Sequence, residues 1–202
     1  IDFETRSQMK LKKCGTWRYA TSPTTEPLVM AYRLPHWKTG RTELWTPEYP
    51  TLGIMEQGGN WDALQELFTW IQAGGLVEAH NAWFERNIWR HIMVPRYGWP
   101  EMPKRNWRCS AAQAAACALP RGLDDALAAT RLALRKDEVG AKVMMKMTKP
   151  RKPRKAEREA WQQANGNTPM DVLYWETPEL LSQLYDYVRQ DVLAEEGLSY
   201  VL

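Results

Sequence analysis

The chain has 202 residues, of which 44% are hydrophobic and 25% are charged, and this composition predicts a single globular domain over residues 1–202. A net charge of +3 is too small to indicate nucleic-acid binding by itself, so only local charge patterns can do so. Three cysteines without a CxxC pair argue against a disulfide framework or a zinc site and favour a reducing, cytoplasmic compartment. The sequence shows neither a signal peptide nor a run of about 18 apolar residues, and it predicts no membrane partner.

Short strands are predicted in the first part of the chain. Four runs have the composition or the alternation of strands, namely residues 1–5, 28–34, 42–45 and 76–79. Asn60 is a candidate cap for a helix that Gly74 and Gly75 end. A second helix is predicted from about Ala82 to Met93, Pro95 should stop it, and residues 95–106 indicate a loop.

Helices dominate the second part. One is predicted over residues 110–118 and another over 123–134, whereas the prolines of the basic segment 149–155 (KPRKPRK) keep it from becoming helical. Thr177-Pro178-Glu179 is a strong start for a last helix that runs to the end of the chain. Because the chain opens in a strand pattern and closes in a helix pattern, we expect it to be part of a longer protein. The order of elements predicts an α/β domain whose mixed sheet opens with an antiparallel meander and is flanked by helices.

Asp2 and Glu4 are the first candidate site residues. They lie two positions apart on a strand, so both side chains point to one face, while Ile1, Phe3 and Thr5 point to the other. Two neighbouring carboxylates repel each other unless a cation lies between them, and hard cations such as Mg²⁺ prefer carboxylate oxygens. The alternative is an edge strand with one solvated face.

Two further acids are candidates for the same kind of site. Asp191 lies one turn after Tyr187 on the last helix, beside the apolar stripe, where an ionised carboxylate is costly unless it is paired or bound to a metal. Glu85 lies at the start of the helix predicted after a strand. Each has an ordinary alternative: Asp191 could pair with Arg189 or be solvated, and Glu85 could be a helix-start acid with Asn81 as the cap.

Together these residues form a pattern that resembles DEDD-type 3′–5′ exonucleases. Asp2-Phe3-Glu4-Thr5 resembles the first motif (DxE), His80-Asn81 followed by Glu85 the second (HNxxxD), and the segment from Tyr187 to Asp191 the third in its tyrosine form (YxxxD). Residues 123–127, LDDAL, resemble the family's SLD-A helix. The histidine subclass would need His where the chain has Asp186, so the resemblance is to the DEDDy type, and most of all to proofreading domains of phage family-A DNA polymerases. The family has Asp where this chain has Glu85, which is one methylene longer and still offers oxygen ligands.

The resemblance implies a fold, a cofactor and a reaction. The fold would be RNase H-like (DnaQ-like), and two divalent ions, Mg²⁺ or Mn²⁺, would be held by Asp2, Glu4, Glu85 and Asp191. Tyr187 would orient the attacking water. The enzyme would hydrolyse the terminal phosphodiester bond at a single-stranded DNA 3′ end and release nucleoside 5′-monophosphates. A polymerase domain would belong to the same chain, in the host-cell cytoplasm if a phage encodes it.

Two groups of residues are candidates for contact with nucleic acid. By the resemblance, the terminal nucleotide would lie against Thr5, Asn81 and Phe84, which have ordinary alternatives as a strand residue, a helix cap and a core aromatic. Separately, the sequence predicts a basic loop insertion around residues 147–158, which could bind phosphates or remain a solvated loop. Its candidate cations are Lys149, Arg151, Lys152, Arg154 and Lys155.

Two other functions stay open on the sequence alone. A 3′–5′ exoribonuclease of the same superfamily would carry the same motifs, because only a contact with the 2′-hydroxyl would distinguish the two substrates. An inactive exonuclease-like module that binds nucleic acid would be consistent with Glu85 in place of Asp, since a fold does not by itself imply activity.

Overall fold

The beginning of the chain forms an antiparallel sheet. A computed structural model describes residues 1–38, 40–47, 60–132 and 137–202. Strands β1 (Asp2–Arg6), β2 (Glu26–Tyr32) and β3 (Glu43–Trp45) pair in the order β1-β2-β3, and both pairings are antiparallel. The register of β1 on β2 shifts between Glu4 and Thr5, as in a β-bulge, so the strand changes course just after the first two candidate acids.

A parallel pair of strands adjoins this sheet. Strand β4 (Val77–Ala79) pairs with β5 (Trp107–Cys109) in parallel. The amino group of Ile1 donates a hydrogen bond of 2.7 Å to the carbonyl of Glu78, which places β4 beside the start of β1. Strands β1, β2 and β3 pair antiparallel in chain order, but over the described ranges the strands form two small adjoining sheets and not the one mixed sheet that was expected.

Helices separate and follow the strands. Their bounds are α1 (Leu11–Ala20), α2 (Trp61–Gln72), α3 (Trp83–Ile88), α4 (Val94–Tyr97), α5 (Ser110–Ala116), α6 (Leu123–Ala129), α7 (Glu138–Met147), α8 (Lys155–Asn165) and α9 (Pro178–Ser199). A π-helical turn, Trp89–Met93, joins α3 to α4, and a 3₁₀ turn, Lys104–Asn106, precedes β5. In the part of the chain that the structure describes, no helix is long and apolar enough to cross a membrane.

The alternation of side chains along β1 separates two faces of the sheet. On one face Phe3 packs against Trp89 and Trp99, in a core that includes residues of α2 and α3. On the other face Asp2 and Glu4 are half-buried, and their direct partners on β2 pack in a second core with α7 and α9. These partners are Ala31 and Val29. Because directly paired residues share a face, the two acids face the helices, and the alternative of a solvated edge is wrong.

Helix α9 lies at the centre of this second core. Its start is as predicted: Pro178 is in the first turn, and the hydroxyl of Thr177 accepts a hydrogen bond of 3.3 Å from the amide of Leu180. The helix packs against β1, β2 and β3 and against α5, α6 and α7. Its buried positions include three polar residues spaced four apart, Tyr187, Asp191 and Glu195. This spacing places all three on one face of the helix.

The helix that was predicted to stop at Pro95 continues to Tyr97. Pro95 lies in the first turn of α4, where the missing amide proton costs little, because the π-helical turn before it in effect restarts the helix. The helix ends at Gly98, whose φ of 68° is left-handed. The prediction of a loop over residues 95–106 is therefore wrong at its beginning and at the 3₁₀ turn.

Several other boundaries differ from the prediction. The helix expected over residues 110–118 ends at Ala116, and the one expected over 123–134 ends at Ala129. Residues 133 and 134 of that second prediction lie outside the described residues. The basic segment is non-helical up to Arg154, but Lys155 is the first residue of α8, so the expected loop is shorter than residues 147–158.

Gly140 allows α7 to pack closely on α9. A Cβ added at Gly140 would lie 2.6 Å from Cβ and 2.7 Å from Cδ2 of Tyr187, and 2.5 Å from Oδ2 of Asp137. Gly140→Ala should therefore push α7 away from Tyr187 and lower the free energy of unfolding by about 1–3 kcal/mol, the usual cost of overpacking. Urea unfolding measures this loss.

Gly122→Ala is the matched control for Gly140→Ala. Its added Cβ would meet only the flexible carboxylate of Asp125, at 3.2 Å, so its cost should stay at or below about 1 kcal/mol. Equal unfolding midpoints for the two variants would contradict the close contact between α7 and Tyr187.

Candidate active site

The structure brings acids from three distant segments into one electrostatic environment. Burial raises the pKa of Tyr187, and the nearby carboxylates of Asp191, Glu4 and Asp2 raise it further. Burial also raises the pKa of Glu85 well above its ordinary value, with the charge of Asp2 as the next cause. Such effects require short separations, so β1, α3 and α9 contribute carboxylates to one site.

Glu85 is the most constrained of these acids. It lies in the first turn of α3, as predicted, but only 3% of its surface is exposed. Its Oε2 atom is buried and has no hydrogen-bond partner among the described residues. A helix-start acid normally points to solvent, and a buried carboxylate oxygen without a donor is costly. The ordinary explanation of Glu85 as a helix-start acid therefore does not account for its environment.

Tyr187 and Asp191 form a buried pair on α9. Only 1% of Tyr187 and 7% of Asp191 is exposed, and a hydrogen bond between the two side chains favours the protonated phenol. Arg189 lies 3.5 Å from Asp186, a different acid of the same helix. The phenol of Tyr187 stays protonated at neutral pH, because burial, the neighbouring carboxylates and the hydrogen bond to Asp191 all raise its pKa.

Asn81 does not cap α3. The N-terminal cap position belongs to Ala82, which makes no side-chain cap, and the carbonyl of Asn81 accepts from the amide of Phe84 at 3.0 Å. The φ of Asn81 is 66°, in the left-handed region that Asn tolerates better than most residues, and its side chain is exposed. The prediction of a helix cap is wrong, and a strained, exposed residue at this position is typical of functional sites.

Thr5 and Phe84 both contact Tyr19. The Thr5 hydroxyl lies 2.9 Å from the Tyr19 hydroxyl, and the rings of Tyr19 and Phe84 are 6.0 Å apart. Thr5 is buried and Phe84 is half-buried. Three predicted nucleotide contacts, Thr5, Asn81 and Phe84, are thus linked to one another through Tyr19 and the turn before α3. Their contact with a nucleotide stays a prediction.

Glu195 is a site residue that the sequence analysis missed. It lies one turn after Asp191 on the same face of α9, it is buried, and burial raises its pKa to about 8. The Ser110 hydroxyl donates to Glu195 at 3.2 Å and lies 2.9 Å from Nδ1 of His80. His80 Nε2 donates to the carbonyl of Arg121 at 2.8 Å, because a carbonyl can only accept. The spacing 187, 191, 195 is the signal that could have identified Glu195.

The cations of the basic segment have different environments. Arg151 is half-buried and forms two hydrogen bonds to Glu157, at 2.7 and 2.8 Å. Lys155 lies 3.8 Å from Glu159, one turn along α8. Three members are exposed without an ion pair to any described residue, Lys149, Lys152 and Arg154. The segment is thus partly fixed, and the alternative of a wholly solvated loop does not describe it.

The donor set of the site suits a hard divalent cation in chemistry. All the candidate ligands are carboxylates. The buried Oε2 atom of Glu85 accepts no hydrogen bond from a described residue, and a bound cation would satisfy it instead. In the side-chain positions observed, however, no three His, Cys, Asp or Glu residues of the described ranges converge closely enough to hold an ion. Mutual repulsion of like charges opposes such convergence when no cation is present. The residues are therefore of the right chemical type for a metal and belong to elements that adjoin one another. Binding of an ion would require their side chains to turn toward one another.

Glu85→Gln tests the buried charge without reference to catalysis. In the folded chain the pKa of Glu85 lies well above its ordinary 4.5. At pH values between the unfolded and the folded pKa, the folded state therefore binds more protons than the unfolded state, and the free energy of unfolding falls as pH rises. Gln cannot ionise. In EDTA the variant should therefore melt at a higher temperature than the wild type at about pH 8, and the difference should shrink toward about pH 4.

Glu138→Gln is the control, since Glu138 is also a first-turn helix glutamate but is exposed. It should show no such gain. Mn²⁺ should then raise the melting temperature of the wild type more than that of Glu85→Gln, because a ligand that binds the folded state stabilises it. A pH-independent difference in melting temperature would contradict the buried charge.

Comparison with known proteins gives one informative similarity. The chain is 27% identical over 198 residues, 98% of its length, to a protein described as a DNA polymerase from Bacillus phage SP02. The chain spans about a quarter (26%) of the length of that relative. No protein-family model and no solved structure matches the chain. The similarity supports a polymerase-related protein.

Proposed function

We propose that the chain is a metal-dependent 3′–5′ exonuclease domain that removes nucleotides from single-stranded DNA ends, in an RNase H-like arrangement of its sheet and helices. The observation that carries the proposal is the packing of β1 against α3 and α9, which brings Asp2, Glu85 and Asp191 into one region, with Glu85 and Asp191 buried. A binding module would have no need to bury several carboxylates in one place, where each raises the cost of ionising the others.

The similarity to a phage DNA polymerase favours DNA as the substrate. A nuclease site within a protein related to polymerases suits proofreading, in which a frayed 3′ end is shortened. We infer that a polymerase domain belongs to the same protein, because the chain spans about a quarter of its polymerase relative. The alignment to this relative covers 198 residues, 98% of the chain.

Two divalent ions, Mg²⁺ or Mn²⁺, would be held by the carboxylates of Asp2, Glu4, Glu85 and Asp191. When bound, such ions make hydroxide available near neutral pH and stabilise the departing 3′ oxygen. Glu85 would contribute its buried Oε2 atom to this cofactor. Glu195, buried one turn beyond Asp191, would hold its face of α9 in place through Ser110.

Tyr187 would position the attacking water. Its raised pKa keeps the hydroxyl protonated, so it can donate a hydrogen bond but cannot remove a proton at neutral pH. Gly140 fixes the ring by allowing α7 to pack against it. Thr5, Asn81 and Phe84 would contact the terminal nucleotide, and the exposed amide of Asn81 is the one best placed to do so. The basic segment would hold the strand through its phosphates.

Incubation of 5′-labelled single-stranded DNA with the chain and Mg²⁺ or Mn²⁺ tests this function. We expect stepwise shortening from the 3′ end, release of nucleoside 5′-monophosphates, and no reaction in EDTA. Asp2→Ala and Asp191→Ala should lower turnover by about 10²-fold or more, because each removes a proposed ligand. More than a tenth of wild-type turnover in Asp2→Ala at saturating metal would overturn the assignment of the site, and shortening of RNA alone would overturn DNA as the substrate.

Tyr187→Phe should lower turnover by about 10²–10⁴-fold while leaving the affinity for Mn²⁺ nearly unchanged, since only a positioning hydroxyl is lost. The matched control is Tyr185→Phe, two residues earlier on α9, which should retain wild-type turnover. Single-turnover rates at saturating DNA measure both. Equal rates for the two variants would remove Tyr187 from the mechanism.

A further inference from the structure

Arg6 connects the strand that carries the first two acids to a segment near the end of the chain. Its guanidinium pairs with Glu176 at 2.5 Å and with Glu26 at 2.8 Å, and it lies 4.7 Å from the ring centre of Tyr174. Arg6 follows Glu4 by two positions on β1. The segment 174–176 is therefore fixed beside the end of β1, the strand that carries Asp2 and Glu4.

The same segment holds the basic segment in place. The amide of Arg151 donates to the carbonyl of Leu173 at 2.8 Å, and its Nε donates to the carbonyl of Tyr174 at 3.1 Å. Glu157 neutralises the guanidinium of Arg151. Arg151 therefore acts mainly as a tether of the basic segment.

Trp175 gathers cations from two different elements. Lys146 of α7 places its ammonium 4.9 Å from the indole centre, and the guanidinium carbons of Arg151 and Arg154 lie 5.0 and 5.3 Å from it. Lys146 and Arg154 are exposed, and neither forms an ion pair with a described residue. Each such cation–π contact contributes only about 0.5–1 kcal/mol at an exposed site, and like charges around one ring repel each other. An anion between Lys146 and Arg154 would relieve this repulsion.

We propose that Lys146 and Arg154, held over Trp175, form a phosphate-binding site for a single DNA strand. This proposal rests on the proposed function for the identity of the strand. Trp175 acts as the organiser of the cations, because three of them lie within 5.3 Å of the centre of its ring. Lys146 and Trp175 are the new members of the interface, since neither belongs to the basic segment.

The position of this site suits a strand whose 3′ end reaches the carboxylates. Helix α7 contacts Tyr187 at Gly140 and carries Lys146 six residues later. Six residues of α-helix rise about 9 Å. Even at the roughly 3.4 Å per nucleotide of stacked B-form DNA, a few nucleotides span this distance along the helix axis.

Binding of fluorescent oligothymidylate in EDTA across a salt series tests the proposal. Lys146→Ala should weaken binding several-fold and flatten the slope of log K against log salt by about 0.7, the value for one phosphate contact on a single strand. Lys142→Ala is the control, because Lys142 is an exposed lysine one turn earlier on α7. It should leave both quantities nearly unchanged.

Trp175→Leu tests the role of the indole ring separately from that of the cations. It removes no charge, yet it should also weaken binding several-fold, and Trp175→Phe should restore most of the affinity because it keeps an aromatic face. Equal effects of Lys142→Ala and Lys146→Ala, or full affinity in Trp175→Leu, would overturn the proposal. Because cleavage is not measured, a loss of binding here and a failure of the nuclease assay are independent results.

Discussion

The burial of several carboxylates beside helix α9 is the constraint on which the rest of the site depends. Glu85, Asp191 and Glu195 are each less than a tenth exposed, and Asp2 and Glu4 face the same core from β1. The repulsion among such charges opposes folding, and protonation or a cation must offset it. An arrangement that costs stability persists only where the surrounding packing enforces it.

The packing of helix α9 against its neighbours holds these acids in place. Helix α9 is packed by the sheet on one side and by α7 on another, where Gly140 lets the two helices touch at Tyr187. The chain of hydrogen bonds from Glu195 through Ser110 to His80 joins α9 to the strained turn at Asn81 that precedes Glu85. Arg6 extends the same frame from β1 to the cations around Trp175. The proposed metal site and the proposed binding site for the DNA strand therefore depend on the same set of contacts.

Local signals predicted the elements on which the site stands, and long-range packing decided the rest. Alternation along β1 predicted the separation of Asp2 and Glu4 from Phe3, and the Thr177-Pro178 start predicted α9. The short strand β5 and helix α8, none of whose residues is buried, carry little hydrophobic pattern, so they were not predicted. Burial of Glu85 could not be predicted, because a helix-start acid looks the same in sequence whether it faces solvent or α9. The tether of Arg151 to Glu157 and Tyr174 depends on contacts 6 and 23 residues away along the chain.

The proposed function depends on Asp2, Glu4, Glu85 and Asp191 together holding divalent ions. Anomalous X-ray scattering from crystals of the chain soaked in Mn²⁺ tests it most directly, because it locates the ions without relying on turnover. We expect two manganese peaks about 3.5–4 Å apart among these four carboxylates, with Oε2 of Glu85 turned toward one of them. Peaks confined to other surface acids, with Glu85 unchanged in its buried position, would contradict it.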